Sequence, residues 1–226
     1  MIIRETTIFA HFKKIIVMAK KQVLVIISML IGTTLFAQKD PAAKKVLDAV
    51  SAKVKTFKGI KADFSIKSFS SKGKANGVKT GNIVIKNQKY LLKQGKTEII
   101  CDGKTIWNFD GSKTITVSPA DESNQTLSPQ NLLSNFYDKD FNYKLIPGTG
   151  NFNEVELTPI DKKKSFKTVT VFIDKAKNMI TKALILDLSS NKVEFSLNNL
   201  NTTEPVQDNL FIFNKAKYPK DVEILD

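Results

Sequence analysis

From Ile60 to Asn198 the chain repeatedly alternates apolar and polar residues with a period of two, a pattern that fits antiparallel sheet better than helix. Ile60, Ala62, Phe64 and Ile66 interleave with Lys61, Asp63, Ser65 and Lys67, which puts one set on each face of a pleated strand. Further strands are predicted at 78–86, 90–93, 97–101, 105–109, 114–118, 141–146, 154–158, 166–173, 179–188 and 193–198, with a short last one at 222–224. The turns between them carry Asn87-Gln88, Gln94-Gly95, Asp102-Gly103, Asp110-Gly111, Asp174-Lys175 and Ser190-Asn191. The two Asp-Gly pairs are strong hairpin signals. About eleven antiparallel strands in one domain result. Strands joined by such short turns form a meander, and a long meander closes toward a barrel.

Helical spacing occurs at only two larger places. Asp40-Pro41 supplies an N-cap and a first-turn proline. Val46, Leu47, Val50, Val54 and Phe57 then recur at helical intervals, so a helix is predicted over 41–57, ended by Gly59. Ser128-Pro129 opens a second, short helix over 129–137, with Leu132, Leu133, Phe136 and Tyr137 on one side. A further turn of helix is predicted at Asn209-Leu210-Phe211.

The apolar strand face is large: Phe64, Ile66, Ile83, Ile85, Leu92, Ile106, Ile115, Val155, Leu157, Ile180, Leu184, Leu186, Phe195 and Leu197. A sheet of this size encloses more volume than one layer of side chains fills. Either the helices plug it or it holds a ligand, and the pattern alone favours the plug, because most apolar stripes are core.

The N-terminal segment belongs to targeting. Lys20 and Lys21 precede an apolar run from Val23 to Ile31, and Ala37 offers a small residue for cleavage. This is the layout of a secretory signal peptide over 1–37, with Met18 as a plausible initiator. The run is shorter than the roughly 20 residues a membrane span needs. Residues 38–226 then form the exported domain.

Removing 1–37 takes away the only histidine, His11, and the only arginine, Arg4. Without histidine there is no Ser-His-Asp triad, Cys-His pair or histidine metal site. No cofactor is expected. Candidate acids such as Asp63, Asp102 and Glu154 are not paired in the sequence. The lone Cys101 cannot form an internal disulfide and reads as a small core residue. Scattered lysines without arginine argue against nucleic-acid recognition and leave attraction to acidic headgroups or an acidic partner.

One stretch carries a family likeness. Cys101-Asp102-Gly103-Lys104-Thr105-Ile106-Trp107-Asn108-Phe109-Asp110 resembles the D-G-K-T-hydrophobic-W segment of LolA, the periplasmic outer-membrane lipoprotein carriers. Ala62-Asp63-Phe64, Gly81-Asn82-Ile83, Ser128-Pro129-Gln130-Asn131-Leu132-Leu133, Leu157-Thr158-Pro159, Phe211-Ile212-Phe213 and Pro219-Lys220-Asp221-Val222 follow the family's order over most of 40–226. The resemblance implies a mainly β fold, an unclosed antiparallel barrel with a helical lid. It implies a monomeric periplasmic carrier, not an enzyme, that shields lipoprotein acyl chains. An inner-membrane release complex of the LolCDE type would load it, and an outer-membrane acceptor, of the LolB type or another, would unload it.

On this reading Phe64, Ile66, Ile83, Ile85, Leu92, Ile106, Trp107, Val155, Leu157, Leu184, Leu186, Phe195 and Leu197 line the acyl-chain cavity. Leu132, Leu133 and Phe136 form the lid, while Val46, Leu47 and Val50 either cover the other end or are permanent core. The family's arginine after the second strand, which hydrogen-bonds to the lid, has no counterpart here. The stretch is Lys86-Asn87-Gln88-Lys89, so Lys86 or Lys89 substitutes as the latch or the lid closes differently. Gln38 stands where the related acceptor, itself a lipoprotein, needs cysteine. Two other readings stay open: a lipid- or peptide-sensing interaction module of similar fold, and an enzyme.

Overall fold

The computed structural model describes residues 39–120 and 137–226. One helix, α1 (Pro41–Lys55), precedes β1 (Ile60–Phe69), β2 (Ala75–Lys86), β3 (Lys89–Gln94), β4 (Thr97–Cys101), β5 (Thr105–Phe109) and β6 (Thr114–Pro119). After a single helical turn at Tyr137–Asp140 come β7 (Phe141–Ile146), β8 (Phe152–Pro159), β9 (Phe166–Asp174), β10 (Met179–Asp187) and β11 (Lys192–Asn201). The chain ends with 3-10 turns at Asp208–Phe211 and Lys215–Lys217, then β12 (Glu223–Leu225). The predicted strands are all present, with ends shifted by a few residues.

Among the described residues the twelve strands form one sheet in the order β12-β6-β5-β4-β3-β2-β1-β11-β10-β9-β8-β7. It consists of two meanders, β1 to β6 and β7 to β11, joined where β11 returns to pair with β1. There Phe64 lies opposite Leu197, and Ile66 opposite Phe195. Every pairing is antiparallel except β12 with β6. Strands β12 and β7 are the two edges and do not pair with each other, so the sheet is unclosed.

An open strand edge invites pairing with other chains unless something blunts it. At β7 the residue before α1 does so. The Asp40 N–H donates to the Tyr143 carbonyl (3.0 Å), and its carboxylate accepts from the Leu145 N–H (2.8 Å). The other carboxylate oxygen caps α1 by accepting from the Ala42 N–H (2.8 Å). Asp40 thus starts the helix and anchors it to the sheet edge.

The inner face of the sheet carries two apolar clusters. In the first, Leu47 and Val50 of α1 pack on Val155, Leu157, Val169, Val171 and Ala183. In the second, Ile60, Phe64, Ile83, Ile85, Tyr90, Cys101 and Ile106 pack together on β1 to β5. Val54 and Phe195 touch both. Gly81 makes room for the second cluster: a Cβ there would lie 2.0 Å from the Lys93 carbonyl oxygen and 2.6 Å from the Phe64 ring. Phe64 lies opposite Gly81 across the β1–β2 pair, and the missing side chain is the space that ring fills.

The outer face of β2 to β5 is covered by the chain's own C-terminal segment, residues 206–218, before β12 pairs beside β6. Val206 and Phe211 are buried there against Leu91 and Ile100, with Val84, Trp107 and Phe213 alongside. Aromatic rings continue the contact. Trp107 stacks on Phe213 (centroids 5.2 Å apart), Phe213 on Tyr218 (5.5 Å), and Tyr218 meets Phe109 edge-on (5.0 Å).

Candidate functional site

Residues directly opposite across a strand pair share a face, so the pairing registers assign each sequence-predicted cavity residue. Phe64, Ile66, Ile83, Ile85, Leu92, Ile106, Val155, Leu157, Phe195 and Leu197 all stand on the inner face. They differ in how far they are enclosed. Phe64, Ile83, Ile85 and Ile106 are core, and Val155 and Leu157 are sealed in the cluster under α1. Ile66, Leu92, Phe195 and Leu197 are only half-buried. Ile99 and Leu200 join them on the same face, although the sequence reading did not include them. Ile99 was detectable, because it alternates with Cys101.

Three cavity expectations need correction. Leu184 and Leu186 lie on the outer face, opposite Thr170 and Thr168 of β9 and Glu194 and Lys192 of β11. A register shift between Ile180 and Lys182 reverses the alternation, since one extra residue in a strand exchanges the two faces. Ala183 and Ile185 hold the inner positions instead. Trp107 also faces outward, beneath the C-terminal segment. Ile115, part of the same apolar stripe, is fully buried on that outer side, opposite Phe109 and Ile224.

The lid residues Leu132, Leu133 and Phe136 lie outside the described residues. Of the α1 candidates, Leu47 and Val50 are core and Val46 is half-buried. The helix is tied at its side as well as its start: the Tyr137 hydroxyl donates to Asp48 (2.7 Å), which also pairs with Lys44 (3.0 Å). Burial, together with that hydrogen bond, raises the Tyr137 hydroxyl pKa well above its ordinary value, so it remains a donor at neutral pH. Tyr143, donating to Asp138 at 3.1 Å, is pushed up to about 12, first by burial and then by that bond.

Lys86 and Lys89 hold a different element from the one expected. Both pair with Asp208 in the C-terminal segment, at 2.7 and 2.9 Å, and Lys86 also donates to the Val206 carbonyl (3.0 Å). They clasp the outer strap to the β2–β3 hairpin. Hydrogen bonds from the two ammonium groups hold the Asp208 carboxyl below the ordinary carboxylate range. Beside the ring ladder, Glu98 accepts from the Tyr218 hydroxyl (2.6 Å) and pairs with Lys93 (2.9 Å). Burial pushes the Glu98 pKa up, and these two bonds together outweigh it, leaving the pKa lowered.

Groups with lowered folded pKa values stabilise the fold above their unfolded pKa of about 4, and that contribution is lost as pH falls through the folded value. The strap is therefore expected to loosen below about pH 4. Trp107 is the only tryptophan and lies under the strap, so its fluorescence emission should change over that range. Asp208→Asn, which lacks the titrating carboxylate, should show a smaller acid-dependent change. An identical profile in the variant would remove Asp208 from the explanation.

The three candidate acids are each occupied locally. Asp63 accepts from the side-chain amides of Asn82 and Asn199. Asp102 accepts from the N–H groups of Lys104 and Thr105, both at 2.8 Å, closing its hairpin. Glu154 accepts from the N–H and hydroxyl of Thr149, both at 2.9 Å. Cys101 is buried, and burial raises its thiol pKa. Among the described residues no group of three potential metal ligands comes together, and no helix is long and apolar enough to cross a membrane.

A cleft of about 490 Å³ opens at the end of the sheet where α1 finishes. Lys53 and Phe57, the β9–β10 turn residues Ala176 and Lys177, Met179 at the start of β10, Asn199 and Leu200 near the end of β11, and Thr202 just beyond it line the cleft. Phe57, Met179 and Leu200 also belong to the second inner cluster, so the cleft floor is continuous with the half-buried apolar face.

The model of the family described as outer membrane lipoprotein carrier protein LolA matches residues 55–214. No curated protein matches the chain. Among solved structures, an uncharacterized conserved protein from Thermus thermophilus aligns at 12% identity and TM-score 0.50, over 81% of this chain and 98% of that one. A LolA superfamily protein from Nitrosomonas europaea aligns at 11% identity and TM-score 0.44, over 76% and 97%. MucB in the Pseudomonas aeruginosa MucA/MucB complex aligns at 16% identity and TM-score 0.44, over 75% of this chain and 60% of that one.

Proposed function

The chain belongs to the LolA family of outer membrane lipoprotein carrier proteins, and from that premise we propose that it ferries lipoproteins across the periplasm with their acyl chains held on the inner face of its sheet. One observation carries the reading: half-buried apolar side chains, Ile66, Phe195 and Leu197 on β1 and β11 and Leu92 and Ile99 on β3 and β4, surround one apolar cluster on the inner face of an unclosed sheet.

The chemistry demands such a surface. A sixteen-carbon chain left in water costs roughly 12 kcal/mol at about 0.8 kcal/mol per CH₂. A carrier must offset much of that cost and still release its load. A face that is apolar but incompletely packed can do both, whereas the sealed cluster under α1 could admit a chain only by separating α1 from the sheet. The role is binding and transfer rather than catalysis.

In this reading residues 1–37, read from Met1 or from Met18, direct export and are removed, and 38–226 is the carrier. A release complex of the LolCDE type supplies cargo at the inner membrane, and an acceptor, of the LolB type or another, receives it at the outer membrane. The test is extraction. Purified 38–226, incubated with inner-membrane vesicles bearing a lipoprotein and the energised release complex, should bring lipoprotein into the soluble fraction. Release no greater than with an unrelated soluble protein would reject the reading.

A further inference from the structure

The cleft at the end of α1 combines an apolar floor with a basic rim. Phe57, Met179 and Leu200 form the floor, and Lys53 and Lys177 stand at its mouth. Its volume, about 490 Å³, lies within the range of roughly 300–1,000 Å³ usual for small-molecule pockets.

The two lysines differ from many others on this surface. Lys44, Lys61, Lys86, Lys89, Lys93 and Lys144 each have a carboxylate partner. Among the described residues neither Lys53 nor Lys177 has one. Lys53 instead rests over the Phe57 ring, 5.7 Å from its centroid. The nearby carboxylates are otherwise engaged: Asp63 by Asn82 and Asn199, and Asp174 by the N–H groups of Ala176 (2.9 Å) and Lys177 (3.0 Å). Two carbonyls in the last turn of α1, a helix end that would repel an anion, are capped. Those of Lys53 and Val54 accept from the N–H groups of Thr56 (3.0 Å) and Phe57 (3.1 Å).

We infer that this cleft binds a single-chain anionic amphiphile, with its carboxylate or phosphate between Lys53 and Lys177 and its hydrocarbon on Phe57, Met179 and Leu200. The inference rests on the proposed function only in that the same apolar face receives the chain. It adds a charge preference, which the neutral diacylglyceryl end of a lipoprotein does not require. Attraction between an ammonium group and an anion is stronger beside a low-dielectric apolar surface than in bulk water. The site should therefore distinguish probes of equal chain length by head-group charge.

Titration calorimetry with 38–226 below the probes' aggregation thresholds tests this. The probes are palmitate, palmitoyl lysophosphatidylglycerol, neutral monopalmitoylglycerol and inorganic phosphate. Palmitate and the lysophospholipid should each bind at least tenfold tighter than monopalmitoylglycerol at low salt, and phosphate alone should bind far more weakly. Binding of one anionic probe but not the other would identify its head group as the one the site takes. In Lys53→Gln/Lys177→Gln the anionic preference should fall close to one. Both lysines are exposed, so the variant should keep the wild-type unfolding midpoint. Equal affinity for charged and neutral probes, a preference that survives the double substitution, or phosphate binding as tight as palmitate would each overturn the inference. Lipoprotein extraction by the same preparations separates the two claims. Extraction without charge preference rejects only the amphiphile site, and charge preference without extraction rejects only the carrier reading.

Discussion

Leu92→Asp or Leu197→Asp is expected to reduce lipoprotein capture by tenfold or more, while Leu186→Asp leaves it near the wild-type level. All three replace a leucine in the same sheet with the same carboxylate, and the register predicts opposite results. Leu92 and Leu197 are half-buried on the inner face, Leu92 opposite Ile83 and Ile99, and Leu197 opposite Phe64. A carboxylate there either drags water onto the acyl-binding surface or must be desolvated when a chain arrives, and both cost several kcal/mol. A tenfold loss requires only about 1.4 kcal/mol. Leu186 is on the outer face between Thr168 and Lys192, where an aspartate meets water and a cation. Soluble-fraction assays of released lipoprotein, run beside circular dichroism to confirm folding, decide it. Equal loss in Leu186→Asp would mean that the inner face is not the binding surface.

Phe211→Ala is expected to be the more damaging change for stability, lowering the unfolding free energy by about 3–5 kcal/mol, as is usual when a buried phenylalanine is truncated. Phe211 is 1% exposed and is a principal contact between the C-terminal strap and the outer face of the sheet. Its loss leaves a cavity beside Ile100, Leu91 and Val206. The ionic clasp a few residues away cannot compensate. Asp208 is exposed and its two lysine partners are only half-buried, and ion pairs that water still reaches are worth little beside a buried aromatic ring. Denaturant titration followed by Trp107 emission gives the comparison. Phe211→Ala should shift the midpoint strongly, and Asp208→Asn only slightly. A reversed order would mean that electrostatics rather than packing holds the strap.

The family match and the sequence-level resemblance agree on the fold, and both bear on function only through the inner face. The residues that resemblance singled out have divided roles. Asp102 and Gly103 build a hairpin, Trp107 supports the outer strap, and Gly81 gives way to the Phe64 ring. Much of the recognisable motif therefore maintains the sheet, while the candidate binding residues are ordinary half-buried leucines, isoleucines and phenylalanines with no distinctive local spacing.

Much could be read from the sequence because it is written locally. Period-two alternation located the predicted strands, Asp-Gly pairs located two hairpins, and Asp40-Pro41 located the start of α1, since strands, tight turns and caps depend on residues a few positions apart. Three matters lay beyond that range. The pairing of β1 with β11 joins segments about as far apart in sequence as Ile66 and Phe195, and periodicity does not specify which distant strand a strand will meet. The face taken by Leu184 and Leu186 depends on a bulge after Ile180, where one residue inverts every side chain that follows. The use of Lys86, Lys89 and Trp107 depends on a C-terminal segment that crosses the outer face. Sequence alone determined that this chain is a long antiparallel meander with more apolar face than one core layer fills, because those properties follow from alternation and count. Only the tertiary structure decided which apolar residues are sealed, which are left half-open and which point away, because burial is settled by what arrives from elsewhere in the chain to cover them.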